Sequence, residues 1–97
     1  MNIEKKLENG KLSVSVSGRL DTNTSPELET ALKLDGVSEL ALDISGLEYL
    51  SSAGLRVLLA AQKTINAAGG RMSIANANET VKGVFDITGC SEIFTLV

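Results

Sequence analysis

The chain contains no histidine and no tryptophan, one cysteine, one proline, and only three aromatic side chains, Tyr49, Phe85 and Phe94. Each shortage closes off a class of function. Without histidine, the commonest general base and the commonest metal ligand are both missing. A lone cysteine, Cys90, rules out an internal disulfide and fits a reducing compartment. Few aromatics and no basic run argue against nucleic-acid binding. The nearest cationic grouping, Lys5, Lys6 and Lys11, is diluted by Glu4 and Glu8. Met-Asn-Ile-Glu-Lys-Lys at the start lacks the apolar run of a secretory leader, and no apolar stretch is long enough to cross a bilayer. A cytoplasmic protein without membrane insertion, cofactor or metal is expected.

What remains is aliphatic. Of 97 residues, 43% are hydrophobic and 22% charged, with a net charge of −3. That is enough for one domain, residues 1–97, around a modest core of Leu, Ile and Val. The slight acidity suits a protein partner better than a polyanion, although net charge says little about which partner.

Two periodicities organise the chain. Leu12, Val14 and Val16 alternate with Ser13, Ser15 and Ser17, the period of a strand with one buried face. Asn9-Gly10 is a turn signal, so Ile3 to Leu7 is its hairpin partner, and Gly18 is expected to end the strand. Thr24 with Glu27 has the capping-box spacing and Pro26 suits a first turn, which predicts a short helix carrying Leu28, Ala31 and Leu32. Glu39 to Ile44 reads as a buried strand and Ser45 to Leu50 as a loop. A helix follows from Ser51 or Ser52 to about Ala67, with Leu55, Leu58, Leu59 and Ile65 inward and Gly69-Gly70 as its stop. Arg71 to Ala75 is a further strand. Asn76 with Glu79 opens a third helix with Val81, Val84, Phe85 and Thr88 inward, closed by Gly89; Ile93 to Val97 reads as a last short strand. The expected fold class is α/β: a mixed, mostly parallel sheet of about five strands with an N-terminal hairpin, covered by about three helices.

The stretch Leu42 to Leu59 is the candidate for function. There a buried strand runs through a loop that delivers Ser51 and Ser52 to the first turn of a helix. Backbone N–H groups at that point lack intrahelical partners, and the helix dipole adds positive character. A phosphate on a serine there would be held by the helix and would add ~1.5 to 2 negative charges to its surroundings. Gly54 removes bulk beside this point, and Tyr49, Leu50 and Leu55 are expected to set apolar surface next to it. From the residues alone, either serine can equally be an ordinary N-cap. One can cap while the other is modified.

Gly18-Arg-Leu-Asp21 leading into a helix, and the run Leu42-Asp-Ile-Ser-Gly-Leu-Glu-Tyr-Leu-Ser-Ser-Ala-Gly-Leu-Arg-Val-Leu-Leu59, resemble STAS domains. That family is shared by bacterial anti-sigma factor antagonists and the cytoplasmic tails of sulfate-type anion transporters. The similarity covers nearly the whole chain in the same order of elements. In the antagonists the helix starts Asp-Ser-Ser/Thr/Ala-Gly-Leu, and its first serine is phosphorylated by the anti-sigma factor, itself an ATP-dependent serine kinase. The resemblance therefore implies phosphorylation at Ser52, with Ser51 the second choice. It implies partner contacts from Asp21, Thr22, Leu50, Ser51, Ser52, Gly54, Leu55 and Arg56. The unmodified form would sequester the ATP-bound kinase, the phosphorylated form would release it, and a phosphatase would reset the cycle.

Two departures stand out. Ser51 occupies a position where the antagonists often carry Asp. The chain also stops after its last expected strand, where family members usually continue into a C-terminal helix, so an apolar sheet face is expected to be open to a partner or a second copy. A monomer or weak dimer is expected.

Other readings are weighed on the same residues. A STAS adaptor that receives no phosphate, for instance on a lipid-type ABC transporter, is the alternative. A serine hydrolase would need a base, and the chain offers neither histidine nor a Gly-x-Ser-x-Gly elbow; no enzyme activity is expected. Asp21 and Arg56 can each be plain surface residues. Asp43 is expected to hydrogen-bond at the end of its strand, and Cys90 to be a small, partly buried hydrophobe.

Overall fold

A computed structural model describes all residues, 1–97. Strand β1 (Asn2–Glu8) and strand β2 (Lys11–Leu20) form the expected antiparallel hairpin. Asn9 and Gly10 between them both take positive φ, 49° and 81°, the two-residue turn that Asn-Gly supports. Strand β3 (Glu39–Leu50) pairs in parallel with β2, and β4 (Arg71–Ala75) in parallel with β3, so the sheet order is β1-β2-β3-β4. Helix α1 (Ser25–Ala31) connects β2 to β3, helix α2 (Ser52–Ala67) connects β3 to β4, and helix α3 (Glu79–Thr88) follows β4.

This order puts the helices on one side. Both parallel crossovers step the same way across the sheet, and right-handed crossovers that do so share a face. Leu12, Val14 and Val16 of β2, Leu40, Leu42 and Ile44 of β3, and Met72 and Ile74 of β4 point to that face. They meet Leu28, Leu58, Ile65, Val81 and Phe85 from the helices in one core of 22 buried residues. Phe94 packs edge-on against Phe85, with ring centroids 5.2 Å apart. The opposite face is uncovered, but it is not the apolar surface expected from the sequence. Small and polar side chains line it: Ser13 and Ser15 from β2, Ala41 and Asp43 from β3, Ser73 and Ala75 from β4.

Several boundaries differ from expectation, each for a physical reason. Ser45 to Leu50 is strand, not loop. Register shifts between Ser15 and Ser17, and between Gly18 and Arg19, let β3 change its buried spacing from two residues to three at Ile44, Leu47 and Leu50. Gly46 permits this, since a β-carbon there would lie 2.6 Å from Ser17 Cβ. Gly18, at φ 96°, marks the bulge and does not end β2. The Thr24–Glu27 capping box does not form, because the Thr24 hydroxyl is already engaged by Asp21 and Arg19. Helix α3 is capped by Asn78, whose side chain accepts from Val81 N, and Asn76 instead donates to Asp43. Its predicted inner residue Thr88 is exposed, the hydroxyl turned back onto the Val84 carbonyl. The last strand shrinks to a single parallel bridge between Ile74 and Leu96 after a 3-10 turn at Cys90–Glu92, so the sheet has four strands.

Candidate functional site

The site lies where β2 and β3 end side by side. Leu20 pairs with Leu50, and Ser51 N donates to the Leu20 carbonyl at 2.9 Å. The Asp21–Thr22 loop and the Ser51–Ser52 helix start therefore leave the sheet together.

The two serines divide the work at the start of α2. Ser51 has extended backbone angles, φ −91° and ψ 170°, and its hydroxyl accepts from Gly54 N at 3.2 Å. It is the N-cap. Ser52 is the first helical residue and is exposed, and no side chain is hydrogen-bonded to its hydroxyl. The helix behind it runs 16 residues with no acidic side chain in its first turn. No side chain of the helix's own first turn neutralises the positive end of the dipole.

Gly54 has a different part from the one expected. It is buried, and a β-carbon on it would stand 2.5 Å from Leu20 Cγ and 3.0 Å from the Leu20 carbonyl. Its lack of a side chain seats the helix on the end of β2, and only through that seating does it affect Ser52.

Asp21 organises the neighbouring loop. Its Oδ1 accepts from the amides of Asn23 at 2.9 Å and Thr24 at 3.1 Å, while its own amide donates to Thr24 Oγ1 at 2.9 Å. The Thr24 amide has the largest effect and lowers the Asp21 carboxyl below its ordinary value; desolvation, second in size, opposes it, and the Asn23 amide, the Thr24 hydroxyl and the Arg19 charge lower it further. Asp21 thus stays ionised beside the helix start. Thr22 is exposed on the same loop, and Ser25 is buried with its hydroxyl on the Asp21 carbonyl.

The leucines correct the sequence reading. Leu50 is 6% and Leu55 8% exposed, and both belong to the core. The three-residue spacing at the end of β3 turns Leu50 inward and the inner face of α2 carries Leu55, so they support the site from beneath and offer little apolar surface. That surface comes instead from Tyr49, 40% exposed, whose ring lies 4.2 Å from the Arg19 guanidinium carbon. Arg19 was not among the expected site residues; only the cross-strand register that pairs it with Tyr49 brings it in. Arg56 is exposed one turn into α2.

The STAS domain profile matches residues 2–97. The chain belongs to the STAS domain family. An anti-sigma F factor antagonist from Paenibacillus polymyxa is 30% identical over 99% of this STAS domain and 87% of its own length. An anti-sigma-B factor antagonist from Staphylococcus aureus is 28% identical over 96% of this chain and 89% of its own. Among solved structures, an anti-sigma factor antagonist from Mycobacterium paratuberculosis superposes with a TM-score of 0.86 at 28% identity, covering 98% of this chain and 83% of that one. The anti-sigma factor antagonist SpoIIAA in its unphosphorylated form shares the fold at a TM-score of 0.84 and 17% identity, covering 99% of this chain and 88% of that one.

Elsewhere in this STAS domain, no three His, Cys, Asp or Glu side chains gather as a metal site. Asp43 lies apart from the serines, at the edge of the bare sheet face. The Ser45 amide, then the Asn76 side chain, hold its carboxyl below the ordinary value. Cys90 is buried in the core, and no helix is long and apolar enough to cross a membrane.

Proposed function

We propose that this STAS domain is a cytoplasmic anti-sigma factor antagonist, a binding module and not a catalyst, switched by phosphate on Ser52. The observation that carries this reading is the division between the serines. Ser51 is spent on capping α2, which leaves Ser52 free, exposed and at the positive end of a long helix. Unmodified, the surface formed by Ser52, the Asp21–Thr22 loop, Tyr49 and Arg56 receives an ATP-bound anti-sigma factor serine kinase. Phosphate on Ser52 adds ~1.5 to 2 negative charges near the loop that carries ionised Asp21. Repulsion and desolvation then favour release. A phosphatase returns the domain to its binding form.

The test is intact mass after incubation with ATP and each of the host's anti-sigma factor kinases in turn. One phosphate gained by the wild type and absent in Ser52→Ala supports the switch. If a partner binds tightly and equally to wild type and Ser52→Asp, the switch is wrong and a phosphate-independent adaptor takes its place.

A further inference from the structure

We infer that Arg19, laid against the Tyr49 ring, is a specificity-determining receptor for a carboxylate on the protein partner. The inference rests on the partner-binding role proposed above and adds to it the group that the partner must supply.

The backbone around Arg19 is built to hold this pose. Gly18 takes φ 96°, and the register shift between Gly18 and Arg19 brings Arg19 opposite Tyr49 in the parallel pair. The Thr24 hydroxyl donates to the Arg19 carbonyl at 2.7 Å, which fixes the strand end from the loop side. The guanidinium carbon then sits 4.2 Å from the ring centroid. Stacking of this kind restrains the side chain before anything binds.

Stacking leaves the polar edge of the guanidinium unspent. No hydrogen bond ties it to the protein, and its one ion pair is loose, Nε to Asp21 Oδ2 at 4.0 Å, with the Arg19 side chain 62% exposed. Asp21 meanwhile has its other oxygen, Oδ1, filled by the Asn23 and Thr24 amides. A planar fork held flat and lacking a bidentate partner matches a carboxylate, the planar anion that a protein surface offers. The position is right as well, since the next residue along each strand forms the Leu20–Leu50 pair from which the Ser52 helix departs. Arg and Tyr are also the side chains that most often dominate binding energy at interfaces.

The experiment titrates an anti-sigma factor kinase that binds the wild type against Arg19→Ala, Arg19→Lys, Tyr49→Leu and the Arg19→Ala/Tyr49→Leu pair, at low and moderate salt. Arg19→Ala is expected to weaken binding ~10-fold or more. Arg19→Lys should recover only part of this, because a lysine lacks the fork. Tyr49→Leu should also weaken binding, with the double variant well short of the product of the singles. Salt should weaken the wild-type complex more than the Arg19→Ala complex. Tyr49 is the only tyrosine and there is no tryptophan, so tyrosine emission reports the stack directly and should change in Arg19→Ala without any partner. Circular dichroism confirms that each variant is folded.

Wild-type affinity in folded Arg19→Ala overturns the inference. If Ser52→Asp still releases the kinase in that case, the switch stands without the receptor. If Arg19→Ala weakens binding while Ser52→Asp does not, the receptor stands and the switch falls. If no anti-sigma factor kinase binds the wild type, both fall.

Discussion

Gly54 and Leu20 lie so close that a β-carbon on the glycine would stand 2.5 Å from Leu20 Cγ and 2.9 Å from its Cδ2. The start of α2 is thus mounted on the end of β2 by a contact that leaves no room for a β-carbon at residue 54. Leu20 is 1% exposed and has no room to retreat. Gly54→Ala should cost about 1–3 kcal/mol, the usual range for overpacking, read as a lower midpoint in urea unfolding. Unchanged stability would show that the helix start is more loosely seated.

Ser51 and Ser52 should separate cleanly by stability. Ser51→Ala removes the hydroxyl that accepts from Gly54 N and should cost about 0.5–2 kcal/mol. Ser52→Ala removes an exposed hydroxyl and should fall within about 0.5 kcal/mol of wild type. Chemical denaturation of the two variants side by side decides it, and the reverse order would assign the cap to the wrong serine.

Asn78 should be costly to lose because it does two jobs. Its Oδ1 accepts from Val81 N at 2.9 Å, and its Nδ2 donates to the Leu47 carbonyl at 2.8 Å. Asn78→Asp keeps the cap and loses the bond to β3; Asn78→Ala loses both. Destabilisation of about 1 kcal/mol is expected for the first and about 2 kcal/mol for the second. Equal effects in thermal or urea melts would mean that only one of the two bonds matters.

The acid limb of stability has a defined sign. Asp21 and Asp43 both titrate below their ordinary value of 3.8, chiefly through backbone amide bonds from Thr24 and Ser45 respectively. A depressed folded pKa gives stability that is fully present above the unfolded value and is lost as pH falls through the folded one. Stability should therefore be flat above about pH 5 with respect to these two groups and decline below about pH 4. Asp43→Asn should flatten part of that decline. An identical pH profile for Asp43→Asn and wild type would contradict it.

Strict periodicity made much of the fold legible. Alternating Leu12, Val14 and Val16 marked β2, and Asn9-Gly10 marked its hairpin turn. Gly69-Gly70 and Gly89 marked where α2 and α3 end. Legibility failed where tertiary contacts override local pattern. The bulges that carry β2 past Gly18 and β3 past Ile44 depend on Gly46 meeting Ser17 across the sheet, which no single strand announces. Thr24 looked like a capping-box residue, yet Asp21 and Arg19 claim its hydroxyl. At the site, the helix start and both serines were visible in the chain. The inward direction of Leu50, and the stacking of Arg19 on Tyr49, became visible only with the strand register; Leu55 was already on the inner face that helical spacing assigns.

One measurement bears most directly on the switch: the affinity of an anti-sigma factor kinase for this chain carrying serine, and then phosphoserine, at position 52. A loss of at least ~30-fold on phosphorylation, equivalent to about 2 kcal/mol, is the predicted result. Equal affinity for the two forms would contradict it.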